Sequence, residues 1–235
     1  MEMEKHFPPR KPSPNPHHET SALTIRCPQY KNMLYDSHHI CKTYDKNIYS
    51  REYFKDTRCP ACPAVGKFKM HGSYSRYVIY FDGKKIVREY KDIRRIMCLS
   101  CKTKTTHAVM PCDIIPYKML SLFVFMYILV LILLGKIPVL KIADEWGFSF
   151  QFIYSVVLAF RMHGNNIRQY FRETSPGDVP AIFDDCAVLR LIKKPYTEFQ
   201  LGYIKTNRRP CFMCKFFNSG SAPPVGIHAP RGAAT

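Results

Sequence analysis

Cys59-Pro60-Ala61-Cys62 and Cys98-Leu99-Ser100-Cys101 stand at the two ends of a stretch that reads as a β-hairpin. Residues 74–81 (YSRYVIYF) are rich in β-formers. Asp82-Gly83 follows, a dipeptide that tight hairpin turns favour because it tolerates positive φ, and residues 84–97 return as a second strand. Two residues between cysteines let one tight turn aim both sulfurs at one ion. Two such turns supply four thiolates, the closed tetrahedral set that structural zinc prefers. The hairpin brings its ends together, so the spacing predicts a zinc ribbon with Cys59, Cys62, Cys98 and Cys101 as ligands and Zn2+ as cofactor. A closed site leaves no open coordination position, so no catalysis is expected at the metal. Buried free cysteines are one alternative. A thioredoxin-like redox pair is another, but it needs a βαβ context that this stretch lacks.

Outside these four, the chain has further cysteines among its ten. Cys211 and Cys214 form a third C-x-x-C without a fourth pair, and Cys27, His38, His39 and Cys41 are a weak second cluster. His71 and His107 lie beside the two pairs as replacement ligands at most. Residues 1–22 carry five prolines and no apolar run after a basic start, so a disordered tail without a signal peptide is expected, and the cysteines are expected in a reducing, cytoplasmic setting. Residues 219–235 read as a second disordered tail.

Thirty-five Lys and Arg oppose 18 Asp and Glu, a net charge of +17 in 235 residues. Such an excess points to a polyanion, either nucleic acid or an anionic membrane surface. Much of it falls on the hairpin and just beyond it, where Arg88, Arg94, Arg95, Lys102 and Lys104 are placed to track phosphates.

Residues 139–159 read VLKIADEWGFSFQFIYSVVLA, the frame of a helix-turn-helix. Ala143 is the small residue where the helices cross, Gly147 the turn, and Ser149 the cap of the second helix. Ile142, Trp146, Phe148, Ile153 and Val156 fall at core positions. The outward residues Ser149, Phe150, Gln151, Tyr154 and Ser155 are then the candidates to meet double-stranded DNA, with Gln151 suited to adenine. Gly164 is expected to end this helix, and short strands are expected at 181–183, 187–192 and 199–204.

The apolar run 119–134 between Lys118 and Lys136 covers roughly 25 Å as a helix, short of a bilayer core of about 30 Å. A single span would also put the cysteine pairs and the helix-turn-helix on opposite sides of a membrane. A buried helix is therefore expected, and a membrane anchor is the alternative.

The stretches CPAC (59–62), RRIMCLSCKTKTTHAVMP (94–111) with Tyr117 shortly after, and the helix-turn-helix resemble the N-terminal part of bacterial transposase-like proteins, in particular a family of uncharacterised transposon-associated proteins of Firmicutes. The resemblance covers about residues 59–153. It implies binding of transposon DNA ends, or regulation of the element, with a separate transposase subunit as a possible partner; a nucleoid-associated place in the cytoplasm is expected. A transposase active site needs three carboxylates on a larger fold to hold two metal ions. Asp184 and Asp185 are candidates for one of them, but the chain beyond has no room for the rest, so the protein is expected not to be an enzyme and to take no small-molecule substrate.

The expected architecture is α+β: a small β zinc ribbon (23–116), an all-α helix-turn-helix domain (117–175) and a short, basic, mixed C-terminal segment (176–218). The expected function is zinc-dependent DNA binding, with a membrane-anchored protein or a protein–protein adaptor as alternatives.

Overall fold

The computed structural model describes residues 33–179, 184–192 and 195–213. β1 (Met33–Asp36), β2 (Phe68–Asp82), β3 (Lys85–Cys98) and β4 (Thr106–Pro111) form one sheet in the order β1-β4-β3-β2. The β2/β3 and β3/β4 pairs are antiparallel, whereas β1 runs parallel to β4 with Met33 opposite Ala108. Helices α1 (Leu122–Leu133), α2 (Val139–Trp146), α3 (Phe150–Thr174), α4 (Asp185–Leu191) and α5 (Tyr196–Asn207) follow the strands.

This order overturns the expectation of a small zinc ribbon followed by an all-α domain. The sheet is four-stranded and mixed, the cysteine pairs sit at its strands, and the segment after residue 176 contributes helices α4 and α5 rather than short strands. The hairpin is also no isolated ribbon. Side chains alternate faces along a strand. Val78 and Tyr80 therefore enter a core shared with Leu34, Tyr35, Phe54 and Val109, while Ile79 enters the core of the helices, with Tyr77, Phe81 and Ile86 packed beside it. One hairpin thus serves two cores. α5 ties them again: Tyr203 lies in the helical core and Ile204 in the other, and buried Gln200 donates to the carbonyls of Cys112 (3.0 Å) and Ile114 (2.8 Å).

The apolar run starts its helix three residues later than its composition suggests. Ile79 N–H donates to Met119 O and Ser121 N–H to Ile79 O, both at 2.8 Å, so Met119 and Leu120 lie along the open edge of β2. Ser121 then caps α1, accepting from Val124 N–H at 3.5 Å. α1 is buried on most sides through Leu122, Val124, Phe125, Met126, Ile128, Leu129 and Leu131, which explains an apolar run without an amphipathic stripe. At 12 residues it spans about 18 Å. No helix among the described residues is long and apolar enough to cross a membrane.

α2 ends at Gly147, which has φ 61° and ψ 37°, the left-handed conformation that closes helices without a Cβ penalty. Ser149 caps α3 by accepting from Phe152 N–H at 3.2 Å. α3 then runs unbroken to Thr174, and Gly164, expected as a stop, is buried inside it. A helical glycine costs about 1 kcal/mol. Burial of His163, Ile167 and Phe171 on the face toward α5 outweighs that. The expected strand at 199–204 is helical for a related reason: Phe199 and Tyr203, one turn apart, both reach the helical core, and Phe199 stacks on Phe171 at 6.1 Å. The expected strand at 187–192 is mostly α4, and the one at 181–183 lies outside the described residues. So do both expected tails, 1–22 and 219–235, as well as Cys27 and Cys214.

Candidate metal centre and basic surface

The antiparallel register places Phe68 opposite Cys98, so the strand that leaves the first cysteine pair lies beside the second. Two further bonds set the loops. Cys59 N–H donates to Ala64 O at 2.8 Å, curling the first pair, and Leu99 N–H donates to Lys67 O at 2.8 Å, docking the second loop onto the first. The outcome is one cluster. The sulfurs of Cys59, Cys62, Cys98 and Cys101 all lie within 4.8 Å of one another, three of the residues being buried and Cys62 half-buried. Cys59 Sγ is 3.6 Å from Cys101 Sγ, and Cys62 Sγ is 3.6 Å from Cys98 Sγ. Four thiols at this separation could hold a metal ion, and among the described residues no other group of His, Cys, Asp and Glu is arranged to do so.

His107, buried on β4, sits next to the cluster with Nε2 3.4 Å from Cys59 Sγ. Phe68 meets its ring edge-on at 6.1 Å. Burial pushes the Cys59 and Cys101 thiols above the usual range. At Cys62 burial is outweighed by the Ala64 N–H and the neighbouring thiols, so its value is lowered.

The basic residues divide sharply by exposure. Arg88 is half-buried, donates from Nη2 to Trp146 O at the end of α2, and lies over the Phe148 ring at 5.2 Å. Arg95, also half-buried, donates to Thr106 Oγ1 at 2.5 Å. Arg94 is half-buried with its Nε enclosed, and its backbone N–H donates to Tyr44 Oη at 2.7 Å. The guanidinium groups of Arg88 and Arg95 are thus bonded within the fold. Lys102 and Lys104 are exposed in the second cysteine loop. Arg58, Lys67 and Lys69, which carried no role in the sequence reading, are exposed beside them. The signal that finds them is the absence of any Asp or Glu from 57–81 and from 93–112.

On α3, Ser149, Phe150, Gln151 and Tyr154 are exposed, but Ser155 is half-buried and donates to Phe152 O at 2.7 Å. The charges around this face are occupied or acidic. Lys141 is 3.7 Å from Glu145, Arg161 is 2.6 Å from Asp185, and Asp144 is exposed. The exposed side chains instead form an apolar row, Phe150, Tyr154, Leu158 and Met162, at four-residue spacing.

Asp184 caps α4, accepting from Cys186 N–H at 2.8 Å, which with the Arg161–Asp185 pair gives both carboxylates a part in the fold. In the weak second cluster, His39 Nδ1 lies 2.6 Å from the buried Asp36 carboxylate, which also accepts from Tyr49 and Tyr53, while His38 is exposed and Cys41 is buried. Cys211 is buried in the helical core.

No protein-family model, curated protein or solved structure matches this chain.

Proposed function

We propose that this chain is a zinc-dependent DNA-binding protein, acting without catalysis of its own. The observation that carries the reading is the spacing of the four sulfurs. A tetrahedral zinc with Zn–S bonds of about 2.3 Å holds its sulfurs about 3.8 Å apart. The pairs at 3.6 Å stand close to that, and far from the roughly 2.05 Å of a disulfide. Bound zinc would supply a crosslink and nothing more, because four thiolates complete its shell. Cys59 and Cys62 hold the loop before β2, Cys98 and Cys101 the loop after β3, and His107 supports Cys59 from behind. The DNA half of the reading rests on the charge of +17 and on cations left exposed at the cysteine end of the sheet.

Double-stranded DNA is the partner we assign, and a place beside DNA in the cell follows from it. Descent from a mobile element, with a separate transposase subunit recruited to the bound DNA, rests on the sequence resemblance at 59–62 and 94–111. Zinc content measured together with duplex binding over a salt series tests the proposal. One zinc per chain and binding that weakens steeply with salt support it. Binding to neutral and anionic polymers alike, or none at low salt, removes the DNA half.

A protein–protein adaptor is the second reading, and the apolar row on α3 favours it. A recognition helix works against phosphates and is served by free cations, whereas Phe150, Tyr154, Leu158 and Met162 present none.

A further inference from the structure

Two surfaces compete as the place where a polyanion would sit, and they are far apart. The turn between α2 and α3 touches Arg88, ten residues up β3 from Cys98, which is roughly 30 Å along the strand. The start of α3 and the cysteine end of the sheet therefore do not form one continuous patch.

We infer that the cysteine end is the nucleic-acid surface: Arg58, Lys67, Lys69, Lys102 and Lys104 together grip the phosphate backbone, and α3 takes no part. This rests on the proposal that the chain binds DNA. All five side chains are exposed, and none is in an ion pair among the described residues. Their backbones are brought together by the same bonds that build the cysteine cluster. Lys67 O accepts from Leu99 N–H, Arg58 bridges Val65, and Lys104 N–H donates to Cys101 O at 3.0 Å. Lys67 and Lys69, two apart, leave the extended chain on one side.

The bland explanation is that these cations merely neutralise the centre. Four thiolates with one divalent ion carry two net negative charges. Asp56, exposed two residues before Arg58, adds a third, while Glu52 is balanced by Lys55 at 2.9 Å. The cations outnumber these charges, so a positive surface remains after the metal is bound. Beside the first half of α3 the balance is reversed, with Asp144 exposed and the cations of Lys141 and Arg161 held by Glu145 and Asp185.

The surface reads backbone rather than sequence. Lysines meet phosphates as point charges, whereas base recognition favours bidentate groups in a groove. The expected affinity is accordingly tolerant of sequence and strongly dependent on salt. Five phosphate contacts give a slope of about −4.5 in log affinity against log salt, a loss of about 500-fold between 50 and 200 mM.

Three variants of the zinc-loaded full chain decide it, each checked for wild-type zinc content and circular dichroism and titrated against one duplex over a salt series. Lys67→Gln/Lys69→Gln and Lys102→Gln/Lys104→Gln should each weaken binding at least tenfold at 100 mM salt and flatten the slope by about 1.8. Gln151→Ala/Tyr154→Ala should leave affinity and slope at wild-type values. Because one lysine pair lies at the start of β2 and the other in the loop between β3 and β4, one failing to fold leaves the other as the test. If the α3 variant loses affinity while both lysine variants keep theirs, this inference is wrong and DNA binding by the chain stands. If the wild-type chain binds no duplex at 50 mM salt, the DNA reading itself fails and this inference with it.

Discussion

Replacing Arg88 with alanine separates a fold in which the hairpin and helices are one structure from a ribbon that presents its arginines to DNA. Its guanidinium donates to Trp146 O, where the carbonyls at the end of α2 carry partial negative charge, and it covers the Phe148 ring at 5.2 Å. A hydrogen bond to a charged group contributes about 1.5–3 kcal/mol, and a half-exposed cation–π contact about 0.5–1 kcal/mol. Arg88 is half-buried, so water takes over part of its role in the variant, and a loss of about 2 kcal/mol is expected. For a protein of this size that lowers Tm by about 4–8 °C. Arg88→Lys should recover less than half, since an ammonium cannot both reach the carbonyl and lie flat on the ring. Urea unfolding followed by circular dichroism, with duplex binding measured alongside, gives both quantities. A variant with unchanged stability and tenfold weaker DNA binding would refute the account, because Arg88 would then face phosphate and not the end of α2.

Two buried groups should give opposite pH slopes in one window. Burial pushes Asp113 up to about 6, so its folded form holds a proton that the unfolded chain releases near pH 4; its contribution of ~3 kcal/mol is full at low pH and is lost as pH rises through 6. Burial holds His163 down at about 4, so its contribution of ~3 kcal/mol is full above pH 6.5 and is lost as pH falls through 4. The wild type should therefore be nearly flat between pH 4 and 6, whereas Asp113→Asn should lose stability as pH falls and His163→Gln should lose it as pH rises; urea midpoints across that range check this, and parallel slopes in the two variants would contradict it. Gly147→Ala should cost about 1 kcal/mol from the left-handed backbone alone, because its new Cβ would meet only Arg88 Nη2 at 3.9 Å, and Gly147→Asn should cost less. A loss above about 3 kcal/mol in calorimetry would mean the turn is also tightly packed.

The parts of the fold legible in the sequence are those with a local cause. Asp82-Gly83 turns the hairpin with Gly83 at φ 60°, and the two-residue spacings curl Cys59–Cys62 and Cys98–Cys101 toward one point. Gly147 ends one helix because it has no Cβ to oppose the left-handed conformation, and the Ser149 hydroxyl begins the next. What was hidden depends on partners distant in the chain. The pairing of β1 with β4 joins residues some 75 apart, and parallel pairing leaves no turn signature. α5 looked like a strand because Phe199, Tyr203 and Ile204 are good β-formers; only its position between two cores makes the helix the better way to bury them. The cations show the same division. Net charge can be counted, but that Arg88 belongs to a helix end while Lys67 faces water is decided by packing.

The central claim is that four cysteines at the end of this sheet close around one zinc ion. Cobalt(II) titration of the metal-free chain tests it directly, because the absorption of tetrahedral cobalt thiolate reports both geometry and sulfur count. The account predicts saturation at one cobalt per chain with a four-thiolate spectrum, displacement by zinc, and loss of that spectrum in Cys59→Ser and Cys98→Ser, each of which should also loosen the sheet end in hydrogen exchange. A spectrum lacking the thiolate bands, or one unchanged in both serine variants, would contradict it.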